Sequence, residues 1–369
     1  MPKPFKVIIA LAILLGLILV FQNRQADESS DTLKIGAILP LSGDLTYIGQ
    51  EMQRGMELAL EQNTTQDVTI IYENDQSLSI TPAVNALNKL LNFDKVKVIF
   101  NAAVNSTKAL DPMLSQKAVP GIVIWDSNKT IMDLGDYVFG MGYSTEATGA
   151  DMAEMAYNKL GIRHISVITA FDEWSEIISR AFMEKFVSLG GIIDLQEKVE
   201  LSESDLRVNI TKIISKNSQA IYFPTFLQSL HSTISQSRDL GFKGHLLTGD
   251  TLSDADIGTL GPKAEGIYSA QPYLQDKDFL TKYKNRYGQE ANAVNLAFVG
   301  MGYDAVNFIL AIKNDLTNKN LPITSQNIRD HIVGFEFQGI TGKTVFSPAR
   351  ISDKRETILQ VKNGVLIKP

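Results

Sequence analysis

Apolar and polar positions alternate in blocks along most of this chain, and the blocks have the lengths of strands and helices. Met52, Met56, Ala59 and Leu60 have the spacing of one buried helix face. Helical spacing recurs in five later segments, at residues 83–91, 146–160, 176–189, 206–215 and 227–240. Short apolar runs of strand length occur at residues 34–39, 68–72, 95–100, 121–125, 164–169, 219–223 and 245–248. This alternation predicts an α/β fold with parallel sheets and right-handed crossovers.

The alternation is interrupted at two places and ends in a different pattern. Residues 138–143 and 267–273 lead out of the repeating units. The second interruption is followed by long helical patterns at residues 278–287 and 296–316, and then by a β-rich tail. The chain has 369 residues, which is too long for one ordinary core and fits two lobes.

The first 32 residues have the pattern of an export signal or a membrane anchor. Lys3 and Lys6 precede an uninterrupted apolar stretch at residues 7–21, and acidic residues follow it. The stretch is longer than a minimal signal core and shorter than a full span, and its flanking charges favour a cytoplasmic N-terminus. The chain has no cysteine, which excludes a lipid anchor on that residue. We expect export with anchoring by residues 7–21, and cleavage near Ala26 is the alternative.

Composition excludes several classes of protein. A hydrophobic content of 44% and a charged content of 21% are globular values. The net charge of −6 argues against nucleic-acid binding. The absence of cysteine excludes disulfides, thiol catalysis and cysteine-ligated zinc. The four histidines are dispersed, and the sequence contains no P-loop, nucleophile-elbow or zinc-hydrolase motif. We therefore expect no cofactor, no metal site and no enzyme activity.

Residues 300–305 have the pattern G-x-G-x-x-A, which also occurs in dinucleotide-binding folds. That fingerprint needs a strand before it and a helix that begins at it. Here the residues lie inside the helical pattern at 296–316. We interpret the glycines as sites of close helix packing.

Residues 33–62 join an apolar strand to a helix through a long loop. The loop has the sequence Pro-Leu-Ser-Gly, then an aromatic residue, then Gly-Gln-Glu, and the helix contains G-x-E-L-A. This segment resembles the opening of the extracytoplasmic solute-binding proteins of the branched-chain amino-acid (Leu/Ile/Val) type. Further matching stretches follow in the family's order, at residues 172–174, 264–268, 283–288, 303–305 and 337–346. The resemblance covers essentially all of residues 33–369.

The resemblance implies the type I periplasmic binding fold, in which two doubly wound, Rossmann-like lobes are joined by three hinge crossovers. The crossovers are expected near residues 143, 271 and 340. Lobe 1 then comprises residues 33–143 and 272–340, and lobe 2 comprises residues 144–271 and 341–369. Residues 1–32 are the expected apolar anchor helix and linker.

The resemblance also implies where a free amino acid would bind. Its carboxylate needs hydroxyl and amide donors, its ammonium needs a carboxylate, and its side chain needs an apolar wall. The expected carboxylate-binding positions are Asn105 and Ser106 after the third strand, and Ser127, Asn128 and Lys129 after the fourth. The expected ammonium-binding residue is Asp250, and the expected aromatic walls are Tyr47, Trp174 and Phe226.

Four of these positions have a second interpretation or depart from the family's pattern. Asp250 lies in a Gly-Asp-Thr setting and could serve as a turn or N-cap residue, and Ser127 could cap a helix. Lys129 adds a cation, and Phe226 stands where a tyrosine is common in the branched-chain binders. These differences argue against leucine specificity and leave solute binding in place.

The expected function is that of an extracytoplasmic receptor, which captures a small solute between two lobes and delivers it to the permease subunits of an ABC-type importer. By the resemblance, an amino acid is the expected solute. The alternative is a membrane-tethered sensor that acts through a partner protein, with an amide, a urea-like compound or an organic acid as ligand. An enzyme is a third class that the fold permits, but no catalytic motif supports it.

Overall fold

The computed structural model describes residues 32–63, 67–272, 276–288 and 293–369, except the side chains of residues 293–295. The expected anchor at residues 7–21 and the alternative cleavage position at Ala26 lie outside these ranges. Within them the chain forms two main sheets, each flanked by hydrophobic clusters on both faces. The expected α/β class with parallel sheets is confirmed.

The first sheet contains five parallel strands, and we call it, with the helices that cover it, the first lobe. The strands in this part of the chain are β1 (Leu33–Leu39), β2 (Val68–Asn74), β3 (Val98–Asn101), β4 (Gly121–Val123), β5 (Asp126–Ser127), β6 (Val138–Gly140) and β7 (Tyr143–Ser144). The spatial order of the sheet is β2–β1–β3–β4–β6, and β5 pairs separately with β7. All residues of β3, β4 and β6 are buried, because the sheet is covered on both faces.

The second sheet contains seven strands and forms the centre of the second lobe. Its strands are β8 (His164–Ala170), β9 (Ile192–Val199), β10 (Ala220–Tyr222), β11 (His245–Thr248), β12 (Tyr268–Gln271), β15 (Thr357–Lys362) and β16 (Val365–Ile367). Their spatial order is β16–β15–β12–β11–β10–β8–β9. The strands β8 to β12 run parallel, β15 pairs antiparallel with β12, and β16 pairs antiparallel with β15. A separate hairpin consists of β13 (Phe337–Gly339) and β14 (Gly342–Thr344).

Helices follow most of the parallel strands, so the loops after those strands lie at one edge of each sheet. The helices are α1 (Thr46–Glu61), α2 (Ile80–Lys89), α3 (Val104–Lys117), α4 (Thr145–Glu154), α5 (Glu173–Ser188), α6 (Arg207–Ser215), α7 (Leu227–Asp239), α8 (Asp254–Leu260), α9 (Lys277–Tyr287), α10 (Ala293–Asn318) and α11 (Ser325–Ile332). Ligands bind at this edge in open α/β sheets.

Helices α1 and α10 approach each other closely at glycines. A Cβ atom on Gly302 would overlap the carbonyl oxygen of Met52, and one on Gly55 would overlap that of Val299. Residues 300–305 lie inside α10, so the interpretation of this stretch as a site of close helix packing is confirmed at Gly302. Among the described residues, one helical stretch, Leu296–Asn318, is long and apolar enough to cross a membrane, but 72% of its apolar window is buried inside the protein.

The chain passes between the lobes three times, and the third passage lies later than expected. The first passage follows β6 and the second follows β12. Phe346 still belongs to the core of the first lobe, and the bridges Gly140–Ile351 and Tyr143–Lys354 place the following residues beside the first passage. The third crossover therefore lies at residues 347–356 and not near 340, because the preceding β13–β14 hairpin packs against α10.

Candidate ligand-binding site

A cavity of about 310 Å³ lies between the two lobes, at the carboxyl ends of the parallel strands. Small-molecule sites in proteins occupy roughly 300–1,000 Å³, so this cavity fits a small solute. The first lobe lines it with Asp44, Leu45, Tyr47, Ile48, Ser77, Leu78, Ala103, Val104, Asn105, Trp125, Asp126, Asn128 and Phe298. The second lobe lines it with Asp172, Glu173, Trp174, Leu201, Phe226, Leu227, Asp250 and Thr251.

The loop after β2 enters the cavity in an unusual backbone conformation. Gln76, Ser77 and Leu78 have φ angles of 55°, 61° and 64°. Residues other than glycine pay roughly 1–2 kcal/mol for this left-handed conformation. The Ser77 hydroxyl donates a hydrogen bond to the Ser42 carbonyl oxygen (2.8 Å) and accepts one from the Leu45 amide (3.1 Å). These two bonds hold the loop against the opening loop of the chain.

The second lobe positions its cavity residues at the starts of helices and at strand ends. Asp172 caps α5 by accepting a hydrogen bond from the Ser175 amide at 2.9 Å, and its other carboxylate oxygen is buried without a partner among the described residues. The Thr251 hydroxyl donates to the Thr225 carbonyl oxygen at 2.7 Å. This bond ties the loop after β11 to the loop after β10.

Each lobe contributes one aromatic pair to the cavity wall. Trp125 and Phe298 pack edge to face with ring centroids 5.2 Å apart in the first lobe, and Trp174 and Phe226 do so at 6.0 Å in the second. A Cβ atom on Gly249 would lie 2.8 Å from Trp174 Cη2, so the glycine makes room for the indole. The two pairs provide an apolar wall on either side of a bound solute.

The charged lining of the cavity is acidic. Five carboxyl residues line it, namely Asp44, Asp126, Asp172, Glu173 and Asp250. Among the described residues that line the cavity there is no lysine, arginine or histidine. Glu173 forms an ion pair with Lys108 on α3, which joins the two lobes beside the cavity. The lining therefore favours positive charge in a bound solute.

Asp250 faces a second carboxyl group behind the cavity wall. Burial raises the pKa of Asp250 to about 6, and burial together with the charge of Asp250 raises the pKa of Glu356 well above its usual range. The Thr148 hydroxyl donates to Glu356 Oε2 at 3.0 Å. Asp250 Oδ1 and Glu356 Oε1 are buried and have no other donor among the described residues. The charge of Asp250 therefore disfavours ionisation of Glu356.

Asp126 lies at the N-terminus of α3. Its Oδ1 atom accepts a hydrogen bond from the Val104 amide at 3.0 Å, at the first residue of the helix. Burial raises the pKa of Asp126 to about 7, the amide opposes this shift, and the charges of Asp250 and Glu173 add to it. The carboxyl group is thus poised to ionise when a positive charge approaches.

The structure brings six of the nine expected site residues to the cavity, namely Tyr47, Asn105, Asn128, Trp174, Phe226 and Asp250. Asn128 also caps the short helical turn after it, because its side chain accepts a hydrogen bond from the Thr130 amide at 3.0 Å.

Three expected site residues do not line the cavity. Ser106 is buried inside the first lobe, where its hydroxyl accepts a hydrogen bond from the Asn101 side-chain amide at 2.9 Å. The Ser127 hydroxyl is buried beside Gly140, without a hydrogen-bond partner among the described residues. Lys129 is exposed, and its backbone amide donates to Glu146 at 2.9 Å. The extra cation expected at the cleft is therefore not part of the lining.

Sequence reasoning missed Trp125, Asp126 and Asp172 as cavity residues. Trp125 and Asp126 precede Ser127 directly, and Asp172 precedes the matching Glu-Trp pair. Successive side chains of an extended segment point to opposite sides, so the choice of Ser127 over its neighbour decided which side chain was assigned to the cavity. An acidic residue directly after a buried strand was the available signal.

A family model described as periplasmic binding protein matches residues 32–363. The chain belongs to the periplasmic binding protein family. Among its curated relatives, the Leu/Ile/Val-binding protein homolog 6 of Brucella suis biovar 1 (strain 1330) is 23% identical over 308 residues, which cover 79% of this chain and 78% of the relative.

Two solved structures are similar to this chain over most of its length. The leucine binding protein LivK of Thermotoga maritima is 25% identical, with a TM-score of 0.79 and coverage of 92% of this chain and 99% of that one. A solute-binding protein of an ABC transporter from R. palustris, in complex with benzoate, is 17% identical, with a TM-score of 0.78 and coverage of 91% and 95%. These relatives of the chain are solute-binding proteins and not enzymes. Membership of the family implies an extracytoplasmic location.

Proposed function

We propose that this protein is an extracytoplasmic receptor that binds a small solute with an ammonium group in the cavity between its lobes. The observation that supports this most directly is the placement of Asp250 in a cavity whose lining is acidic and aromatic. Asp250, Asp126 and Asp172 offer acceptors for the positive head of the solute, and the aromatic pairs offer walls for its body.

The amino acid expected from the sequence satisfies the ammonium half of this site. The carboxylate half has weaker support, because Ser106, Ser127 and Lys129 do not line the cavity. Of the expected carboxylate-binding residues, Asn105 and Asn128 remain at the lining. Solute-binding proteins of this fold include both a leucine binding protein and a benzoate complex, so the fold leaves the ligand open.

Delivery of the solute to the permease subunits of an ABC-type importer is part of the proposal. The cavity lies between two lobes joined by three crossovers, and such lobes close around a ligand by a hinge motion. A closed receptor presents a different surface from an open one, which a membrane permease can recognise. Anchoring through residues 7–21, or release after cleavage near Ala26, would place the receptor at the outer face of the membrane.

The proposed ammonium site is tested by Asp250→Asn. A thermal-shift screen of the full chain in detergent, with amino acids, amines and aromatic acids, first identifies ligands, because a ligand at about 100 times its Kd adds ~2.7 kcal/mol of stability. Loss of one member of a desolvated charge pair costs ~2–5 kcal/mol, so Asp250→Asn should weaken binding of an ammonium ligand at least about thirtyfold.

Asp205→Asn serves as the matched control, because Asp205 is an exposed carboxyl of the same lobe and pairs with Arg207. Its affinity should equal that of the wild type. The proposal fails if Asp250→Asn binds as tightly as the wild type, or if all ligands found lack an ammonium group.

A further inference from the structure

The N-terminus of α3 points its first amide at a carboxylate that belongs to the chain itself. Val104 is the first residue of α3, and its amide donates to Asp126 Oδ1 at 3.0 Å. A helix N-terminus attracts anions through its free amides and its dipole. Asp126 occupies this position, so a ligand carboxylate would have to displace it or lie beside it.

Among the described residues of the lining, no cation is present to balance the negative charge that a ligand carboxylate would add to Asp126. The described part of the lining contains five carboxyl residues and no basic residue. Lys108, beside the cavity, is already paired with Glu173. Two carboxylates a few ångström apart in a partly buried site repel each other strongly, and each makes the other harder to ionise. An anionic group on the ligand is therefore opposed at the place where the fold could otherwise have received it.

We propose that the ligand is a small organic amine without a carboxylate group, with an ammonium or guanidinium head and an apolar or aromatic body. This inference rests on the proposed function and narrows the class of its solute. The head lies among Asp126, Asp172 and Asp250, and the body lies between the two aromatic pairs. Aromatic faces also attract cations, which adds to the preference.

The protonation of the cavity carboxyl groups supports the same ligand class. Burial raises the pKa of Asp126 to about 7 and that of Asp250 to about 6. A positive charge nearby lowers the pKa of a carboxyl group, and a negative charge raises it. A bound amine therefore stabilises the ionised form of both residues, whereas a bound carboxylate would disfavour it.

Matched pairs of ligands that differ by one carboxylate provide the test. The full chain in detergent is titrated calorimetrically at about pH 8, where Asp126 with its pKa of about 7 is ionised. The ligand pairs are phenethylamine against phenylalanine, isoamylamine against leucine, and agmatine against arginine. For the pair that binds best, the amine should bind at least about tenfold more tightly than its amino acid, which is the ratio expected for one unfavourable charge contact.

Two variants of Asp126 test the cause of this preference. Asp126→Ala frees the Val104 amide and removes the charge, so the ratio of amine to amino-acid affinity should fall at least about tenfold. Asp126→Asn keeps an acceptor for the amide and removes only the charge, so its ratio should lie between those of Asp126→Ala and the wild type. Asp133→Ala, which removes an exposed carboxyl of the first lobe outside the cavity lining, is the control and should keep the wild-type ratio.

The outcomes separate this inference from the proposed function. If the amino acid of every pair binds more tightly than its amine, the inference is overturned and the ammonium receptor stands. If benzoate binds and no amine or amino acid does, both are overturned. If Asp126→Ala does not fold, as judged by its thermal melt, an unchanged ratio in Asp126→Asn overturns the inference.

Discussion

At the residue scale, Asp250 in the cavity lining and Glu356 behind it form a buried carboxyl pair. Both carboxyl groups are buried, and one oxygen of each, Asp250 Oδ1 and Glu356 Oε1, has no hydrogen-bond partner among the described residues. Two such groups cannot both ionise easily, because each charge raises the pKa of the other. Asp126 adds a third carboxyl group whose pKa the charge of Asp250 raises. A cationic ligand supplies the charge that lets these groups ionise together.

The pair predicts opposite pH dependences for ligand affinity and for the stability of the ligand-free protein. Affinity for an amine should fall as the pH drops below about 7, where Asp126 takes up a proton, and more steeply below about 6, where Asp250 does, because a protonated carboxyl group cannot pair with a cation. The raised pKa of Asp250 stabilises the ligand-free fold fully below the unfolded pKa of about 3.9, and this contribution is lost as the pH rises through about 6. Calorimetry and thermal melts over this range measure both.

Glu356→Gln is the control for the pH dependence. It removes one of the two titrating groups and keeps a side-chain donor towards Asp250, whose pKa the Glu356 hydrogen bond lowers. The midpoint of the affinity profile set by Asp250 should therefore not move to lower pH. Amine affinity that stays constant between about pH 5 and about pH 8 would contradict the role of ionised carboxyl groups in binding.

Sequence reasoning predicted loops that line the cavity, but not every side chain within them. The loops after β1, β3, β4, β10 and β11 could be predicted, because strands with near-continuous apolar runs have clear ends. The side-chain direction in the loop after β4 could not be predicted, because Asp126 and Ser127 are neighbours in β5 and point to opposite sides. An error of one residue along the chain therefore placed the Ser127 hydroxyl in the expected site, where the structure has the Asp126 carboxyl group.

At the element scale, helices and buried strands followed their apolar patterns, while one edge strand did not. The two long patterns at 278–287 and 296–316 correspond to α9 and α10. The strand β9, Ile192–Val199, was not predicted, because it lies at the edge of the second sheet and contains Asp194, Glu197 and Lys198. A strand at the edge of a sheet is more exposed to solvent than a central strand. Its sequence therefore lacks the continuous apolar run of a central strand.

The close approach of α1 and α10 predicts that Gly302→Ala destabilises the first lobe. The added methyl group would overlap the Met52 carbonyl oxygen, which is backbone and cannot rotate away. Overpacking of this kind costs ~1–3 kcal/mol, measured as the free energy of unfolding in denaturant. Gly258→Ala on α8 is the matched control: no atom lies within 4 Å of its added methyl group. There, the better helix propensity of alanine should stabilise by up to ~1 kcal/mol. Equal effects of the two substitutions would contradict the packing argument.

At the scale of the whole molecule, a buried polar cluster ties two of the three crossovers to α10. Asp304 on α10 accepts hydrogen bonds from the amides of Ile340 (3.0 Å) and Thr341 (2.8 Å). The Lys354 ammonium donates to the Thr341 hydroxyl at 2.8 Å, and the Tyr143 hydroxyl donates to the Thr341 carbonyl oxygen at 3.1 Å. The first and third crossovers therefore share one anchor point.

The ion pair between Lys108 and Glu173 predicts how the two lobes are held together away from that cluster. Lys108 lies on α3 of the first lobe, and Glu173 begins α5 of the second lobe at the cavity. Because both side chains are partly exposed, the pair contributes only ~0–1 kcal/mol, but all of it favours closed lobes. Lys108→Ala should therefore weaken ligand binding by up to about fivefold and enlarge the radius of gyration of the ligand-free protein in small-angle scattering, while saturating ligand restores compaction.

Lys89→Ala is the control, because Lys89 pairs with Glu73 inside the first lobe. If Lys108→Ala and Lys89→Ala have the same affinity and the same scattering profile, the Lys108–Glu173 pair has no part in closure. A scattering profile of the wild type that saturating ligand leaves unchanged would argue against the hinge motion itself.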